Sequence, residues 1–184
     1  MQYKLTTPCA AEDLAMLRAG DTVLLSGIVY TARDAAHKRM CEALDAGETL
    51  PFDLAGSAVY YVGPTPEKPG QIIGSAGPTT SGRMDAYSPR LLDLGNKVMI
   101  GKGKRDAAVK EAVVRNGAVY VAALGGAGAL MCQCVKSLEV IAWPDLGCEA
   151  VRRLEVEEMP LTVILDSKGG DLYESGPSAY LQSL

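Results

Sequence analysis

Three short segments of this sequence place cations beside glycine, serine or threonine directly after apolar runs: residues 30–34 (YTARD), 77–83 (GPTTSGR) and 101–104 (GKGK). In α/β sheets, small anions collect outside the carboxyl ends of strands, where backbone N–H groups and helix N-termini favour negative charge. Arginine grips a carboxylate through two parallel N–H···O bonds and lysine supplies a mobile point charge, so Arg33, Arg83 and Lys102 together suit a dicarboxylate. Taken singly, most such cations are solvated surface groups or partners of nearby carboxylates, and Arg33 has Asp34 beside it. The middle segment is the most specific of the three. Pro78 fixes φ, while Gly77 and Gly82 admit a ligand close to the backbone. Thr79, Thr80 and Ser81 either hydrogen-bond that ligand or cap a helix beginning near Met84, and composition alone favours capping.

His37, the single histidine, lies one helical turn beyond Arg33 and Asp34, where it can serve as an acid or base, as an orienting group or as a structural side chain. The five cysteines, Cys9, Cys41, Cys132, Cys134 and Cys148, contain no C-x-x-C pair. Cys132 and Cys134 are two apart, so on a helix they point to different sides and read as small hydrophobes, with no metal site assigned to them. The string 125–128 (GGAG) has neither the G-x-G-x-x-G spacing nor a G-K-[ST] ending, and reads as the tight start of a helix.

The elements that must position these residues alternate. The patterning predicts helices over 11–19, from an Asp34 cap to about 46, over 84–94 with an interruption at Pro89, over 105–116 and over about 128–135. Strands are expected at 22–30, 57–63, 98–100, 118–123, 138–142 and 161–166, with a further short one at Ile72 and Ile73 and a Pro/Gly loop at 64–70. This is an α/β layered pattern in one domain spanning residues 1–184, with 167–184 as a polar, loose tail.

Composition closes off other classes. A net charge of -4 argues against a nucleic-acid or anionic-membrane binder, since both partners select for surplus Lys and Arg. No run approaches the roughly 18 apolar residues of a membrane span, and the N-terminal residues lack a secretory apolar core, so a cytoplasmic protein is expected. An odd number of scattered cysteines fits a reducing compartment.

Taken together, residues 30–39 (YTARDAAHKR), 77–85 (GPTTSGRMD) and 101–103 (GKG) resemble the β subunit, or C-terminal domain, of the class I iron-sulfur fumarate hydratases, with the L(+)-tartrate dehydratase β subunit as the nearest competitor. The resemblance extends over essentially the whole chain, including 150–166 (AVRRLEVEEMPLTVILD), and the ending Gly82-Arg83-Met84-Asp85 is closer to the fumarases. It implies a swivelling β/β/α domain with a mixed sheet flanked by helices, and one half of a hydro-lyase that interconverts fumarate and L-malate. It also implies that the [4Fe-4S] cluster sits on a partner α subunit, that none is bound by this chain, and that αβ pairs build a higher oligomer. On the matching motifs Arg33, Arg83 and Lys102 become ligands of the substrate carboxylates, and Thr79 and Arg83 become catalytic, with the Thr79 hydroxyl taking part in proton transfer. Asp34 and His37 then orient Arg33 or the closing turn, while Thr80, Ser81 and Gly82 shape the pocket. A non-catalytic domain that senses dicarboxylates, or stabilises an α subunit, is the alternative of a different class.

Overall fold

Alternate residues of the apolar runs face two separate cores. Tyr60, Val62, Val98, Ile100, Val119 and Val121 belong to one buried cluster, whereas Val59, Tyr61, Met99 and Tyr120 belong to another. A strand covered on both faces has no polar side to show, which is why these segments read as unbroken apolar runs. The computed structural model describes residues 1–182 of the chain.

Seven strands form one mixed sheet: β1 (Gln2–Thr6), β2 (Thr22–Thr31), β3 (Ala58–Tyr60), β4 (Val98–Gly101), β5 (Val119–Ala122), β6 (Val135–Ala142) and β7 (Val151–Leu165). The spatial order is β1-β2-β3-β4-β5-β7-β6, with β2 also pairing with β7. Strands β1 to β5 run parallel to their neighbours, and β7 runs antiparallel to β2, β5 and β6. Because β7 joins β5 back to β2, the strands β2-β3-β4-β5-β7 close into a ring. The helices α2 (Asp34–Asp45), α3 (Ser88–Asp93) and α4 (Ala107–Arg115) pack Ala36, Met40, Leu91, Leu92, Val109 and Val113 against one face of that ring. Leu14 of α1 (Ala11–Met16) and Met131 of α5 (Gly128–Gln133) join the cluster on the opposite face, and α6 (Leu172–Gln182) follows β7. Among the described residues no helix is long and apolar enough to cross a membrane.

Several local expectations are corrected. Asp34 does not cap α2: Arg33 occupies the cap position in extended backbone, and Asp34 is the first helical residue. The region 84–94 is not one interrupted helix but a 3-10 turn at Ser81–Met84 followed by α3, where Pro89 sits in the first turn, a position that has no intrahelical N–H bond to lose. Ile72 and Ile73 form no strand; they lie in a loop held shut by the Thr65 N–H donating to the Ser75 carbonyl at 3.1 Å. Strand β1 was not expected, and β7 begins ten residues before the expected 161–166 strand. The left-handed Glu158 (φ 47°) and the nearby Pro160 interrupt its pattern without ending it. The polar 167–184 segment contains α6, and its last two residues, Ser183 and Leu184, lie outside the described residues.

Candidate functional site

The parallel register determines what meets at the carboxyl ends of the strands. Thr31 pairs with Tyr60, Tyr60 with Ile100, and Ile100 with Val121, so the segments that follow β2, β3 and β4 emerge along one edge. Arg33 and Lys102 both exit there. The 77–83 segment is threaded between them: Val62 bridges to Pro78, and Thr80 bridges in parallel to Lys102. The Thr79 N–H donates to the Tyr61 carbonyl at 2.7 Å, which places this half-buried threonine beside the end of β3. Three segments distant in sequence therefore lie on one edge of the sheet.

Ser81 is the post on which the two loops rest. Its N–H donates to the Lys102 carbonyl at 2.8 Å, and its Oγ accepts from the Lys102 N–H at 3.0 Å. The hydroxyl of Tyr120 lies 3.0 Å from the same Oγ and donates to the Gly103 carbonyl at 2.8 Å. Gly101 is required for this approach, because a Cβ there would stand 2.0 Å from Ser81 Oγ. Ser81 is thus fully buried and spent on the scaffold, whereas Thr80 and Gly82 are exposed. The string 125–128 also serves packing: a Cβ on Gly128 would come within 2.9 Å of the Gly77 backbone nitrogen.

Charge alternates around Arg33. Arg83 Nη2 lies 2.6 Å from Asp34 Oδ2, Asp34 Oδ1 lies 3.8 Å from Arg33 Nε, and Arg33 Nη2 lies 3.1 Å from Glu149 Oε1. The carboxylate expected to cap α2 instead faces the guanidinium of a loop 49 residues away. Arg33 Nε is buried with no hydrogen-bond partner among the described residues. Lys102 is exposed, and its ammonium has no ion pair among the described residues. The arrangement presents two guanidiniums, partly neutralised by their own carboxylates, and one uncompensated cation along the same edge.

His37 supports this edge from below. It is 1% exposed, and its Nδ1 lies 2.9 Å from the Arg33 carbonyl. A carbonyl only accepts, so the neutral ring carries its proton on Nδ1. Burial depresses its pKa to about 4, opposed in part by the hydrogen bond to the Arg33 carbonyl, while the Arg105 cation lowers it further and Asp34 opposes it least. His37 is therefore uncharged near neutral pH and fastens the backbone of Arg33.

Sequence reasoning missed two groups. Arg105 is a buried cation whose Nε lies 2.6 Å from Asp85 Oδ1 and whose Nη2 donates to Ser88 Oγ at 2.7 Å, with the rings of Tyr61 and Tyr120 at 5.4 and 4.9 Å. It fixes the end of the 77–85 segment against the start of α4. Glu149, in the 3-10 turn Pro144–Glu149 before β7, is the second, and no local pattern marks it.

All five cysteines are free thiols. Among the described residues no group of three or more His, Cys, Asp or Glu side chains is placed to hold a metal ion. A cluster held by this chain's own side chains therefore has no fit in this arrangement.

A family model described as Fumarase C-terminus matches residues 1–176. The chain is 42% identical over 173 residues to "Fumarate hydratase 1, mitochondrial" of Leishmania major, covering 91% of this chain and 31% of that protein. It is 39% identical over 152 residues to "Fumarate hydratase class I, aerobic" of Escherichia coli, covering 82% of this chain and 28% of that protein. It is also 40% identical over 169 residues to "Putative L(+)-tartrate dehydratase subunit beta" of Methanocaldococcus jannaschii, covering 89% of this chain and 87% of that protein. The chain thus spans about three tenths of the fumarate hydratases it resembles and most of the tartrate dehydratase subunit.

Proposed function

Since this chain belongs to the fumarase C-terminus family, we propose that it is the β-type half of a hydro-lyase that adds water reversibly to fumarate, giving L-malate. The observation that carries this reading is the convergence of Arg33, Thr79, Arg83 and Lys102 on one edge of the sheet, with each cation held by a different loop. A dianion whose two carboxylates are gripped from separate loops is fixed in both position and orientation, which is what addition across a double bond requires.

In this reading Arg83 exchanges Asp34 for a substrate carboxylate, and Arg33, held between Asp34 and Glu149, supplies a second guanidinium for it. Lys102 supplies the charge that the two neutralised arginines lack. Thr79, fixed by its N–H bond to Tyr61, holds or moves the proton at the carbon beside the added hydroxyl. A threonine hydroxyl is a weak base in water, so this step needs the site closed against a partner and the cations close by. On the family resemblance the [4Fe-4S] group of the class is assigned to an α partner, which is consistent with the lack, among the described residues, of three grouped metal-ligating side chains. When bound there it supplies a Lewis acid for the hydroxyl. The domain is of the swivelling β/β/α kind, closing over that partner in αβ pairs that assemble further in the cytoplasm.

The identity to the tartrate dehydratase subunit supports a second substrate reading, L-tartrate, on the same residues. The test is anaerobic co-expression with a cluster-bearing α subunit, followed by parallel assays with fumarate, L-malate and L-tartrate. Turnover of fumarate and malate above tartrate supports the first reading, and the reverse order supports the second. Dicarboxylate binding without turnover of any of the three would leave a sensing domain.

A further inference from the structure

We propose that Glu149 is a positioning residue for Arg33, holding its guanidinium in place for a substrate carboxylate; this rests on the dicarboxylate reading above. The two oxygens of Glu149 are divided between two tasks. Oε1 lies 3.1 Å from Arg33 Nη2, and Oε2 accepts the Ala35 N–H at 3.0 Å. One carboxylate thereby fastens both the side chain of Arg33 and the first turn of the helix that begins immediately after it. The pair is well shielded, with the two side chains 18% and 16% exposed, so its attraction is less screened than that of a surface pair.

The far side of the guanidinium is shaped to match. Gly63 lies there, and a Cβ at that position would stand 2.7 Å from Arg33 Nη1. Arg33 is therefore slotted between the exit of β3 and Glu149, while its Nε remains buried without a hydrogen-bond partner among the described residues. A guanidinium already held in place needs no reordering to meet an incoming carboxylate. The turn bearing Glu149 is itself built to stay put. Arg39 donates to both oxygens of Asp145 at 3.0 and 2.5 Å, and Arg152 donates to the carbonyls of Gly147, Cys148 and Ala150 at 2.8, 2.9 and 3.0 Å. The 144–149 turn thus acts as a bracket, clamped to α2 at one end and to β7 at the other, with Glu149 as its last residue beside the β7 clamp.

The experiment compares wild type, Glu149→Ala and Glu149→Gln. Nitrogen-15 relaxation at Arg33 Nε is measured in the unliganded chain, and kcat and KM for fumarate, malate and tartrate in the assembly with the cluster-bearing partner. In Glu149→Ala the Arg33 side chain loses order and KM rises by roughly 10- to 100-fold with kcat changed less. Glu149→Gln keeps an acceptor for Ala35 without the charge, so it folds as wild type and shows a smaller rise in KM. Unchanged Arg33 order and unchanged KM in either folded variant would overturn the proposal. A wild-type assembly that turns over none of the three dicarboxylates, with Arg33 still loosened by the substitution, would instead overturn the reading beneath it.

Discussion

Replacing Arg83 by methionine removes a cation while keeping most of an apolar stem, and the structure separates its effect on folding from its effect on catalysis. Arg83 is half exposed and, among the described residues, pairs only with Asp34, at 2.6 Å. An accessible pair of this kind contributes roughly 0–1 kcal/mol. In a domain of 184 residues such a loss lowers the melting temperature by about 2–4 °C at most. The substrate carboxylate is a different partner, met in a site closed against an α subunit. Truncating one side of a desolvated, charged hydrogen-bonded pair costs roughly 2–5 kcal/mol, which is about 30- to 5,000-fold in kcat/KM. The assay is anaerobic fumarate hydration by the assembled Arg83→Met enzyme, beside a thermal melt of the same sample. A melting temperature lowered by more than about 10 °C, with activity lost only in proportion to the unfolded fraction, would refute the reasoning and make Arg83 a structural residue.

Other perturbations follow from the scaffold. Asp85→Ala strands the buried Arg105 guanidinium and should cost about 3–5 kcal/mol in urea unfolding, far more than Arg83→Met. Gly101→Ala drives a methyl group into Ser81 Oγ and should destabilise by about 1–3 kcal/mol while displacing Lys102; a crystal structure showing Ser81 and Lys102 unmoved would contradict this. His37 links stability to pH. Its folded pKa of about 4 lies below its ordinary 6.5, so between these values the unfolded chain binds the extra proton and stability falls as pH falls. The full effect approaches about 3 kcal/mol. Urea unfolding across pH 4–7 should therefore show a slope that His37→Gln flattens, and an unchanged slope would place the linkage on other groups.

How much of this could be read in advance depended on the distance over which each residue acts. The parallel strands were visible because β3, β4 and β5 are buried on both faces and carry nothing but apolar side chains or glycine. Of the cationic segments, 30–34 and 101–104 sit at the ends of β2 and β4, whereas 77–83 follows a loop and was noticed by its own Gly, Pro and hydroxyl composition. Strand β7 was largely hidden, because its early half pairs with β2 and β6 while its end pairs with β5, and its side chains do not keep one periodic face. Asp34 was misread because a local capping rule competed with a long-range ion pair, and the ion pair prevailed. Glu149 and Arg105 had no local signature at all. Ala35, which donates to Glu149, lies 114 residues away in the chain, and ring closure through β7 brings the two together. Ser81 was grouped with the pocket residues on the family resemblance, and its hydroxyl bonds within the loop scaffold.

The central claim is a division of labour, in which this chain holds the dicarboxylate and a partner holds the iron-sulfur group. The direct measurement is the anaerobic rate of fumarate hydration by the purified iron-free chain, and then by the same chain assembled with a cluster-bearing α subunit. The account predicts no turnover from the chain alone and full turnover in the assembly, lost again when Arg33, Arg83 and Lys102 are replaced by methionine. Equal turnover by the iron-free chain, or an assembly indifferent to those three replacements, would contradict it.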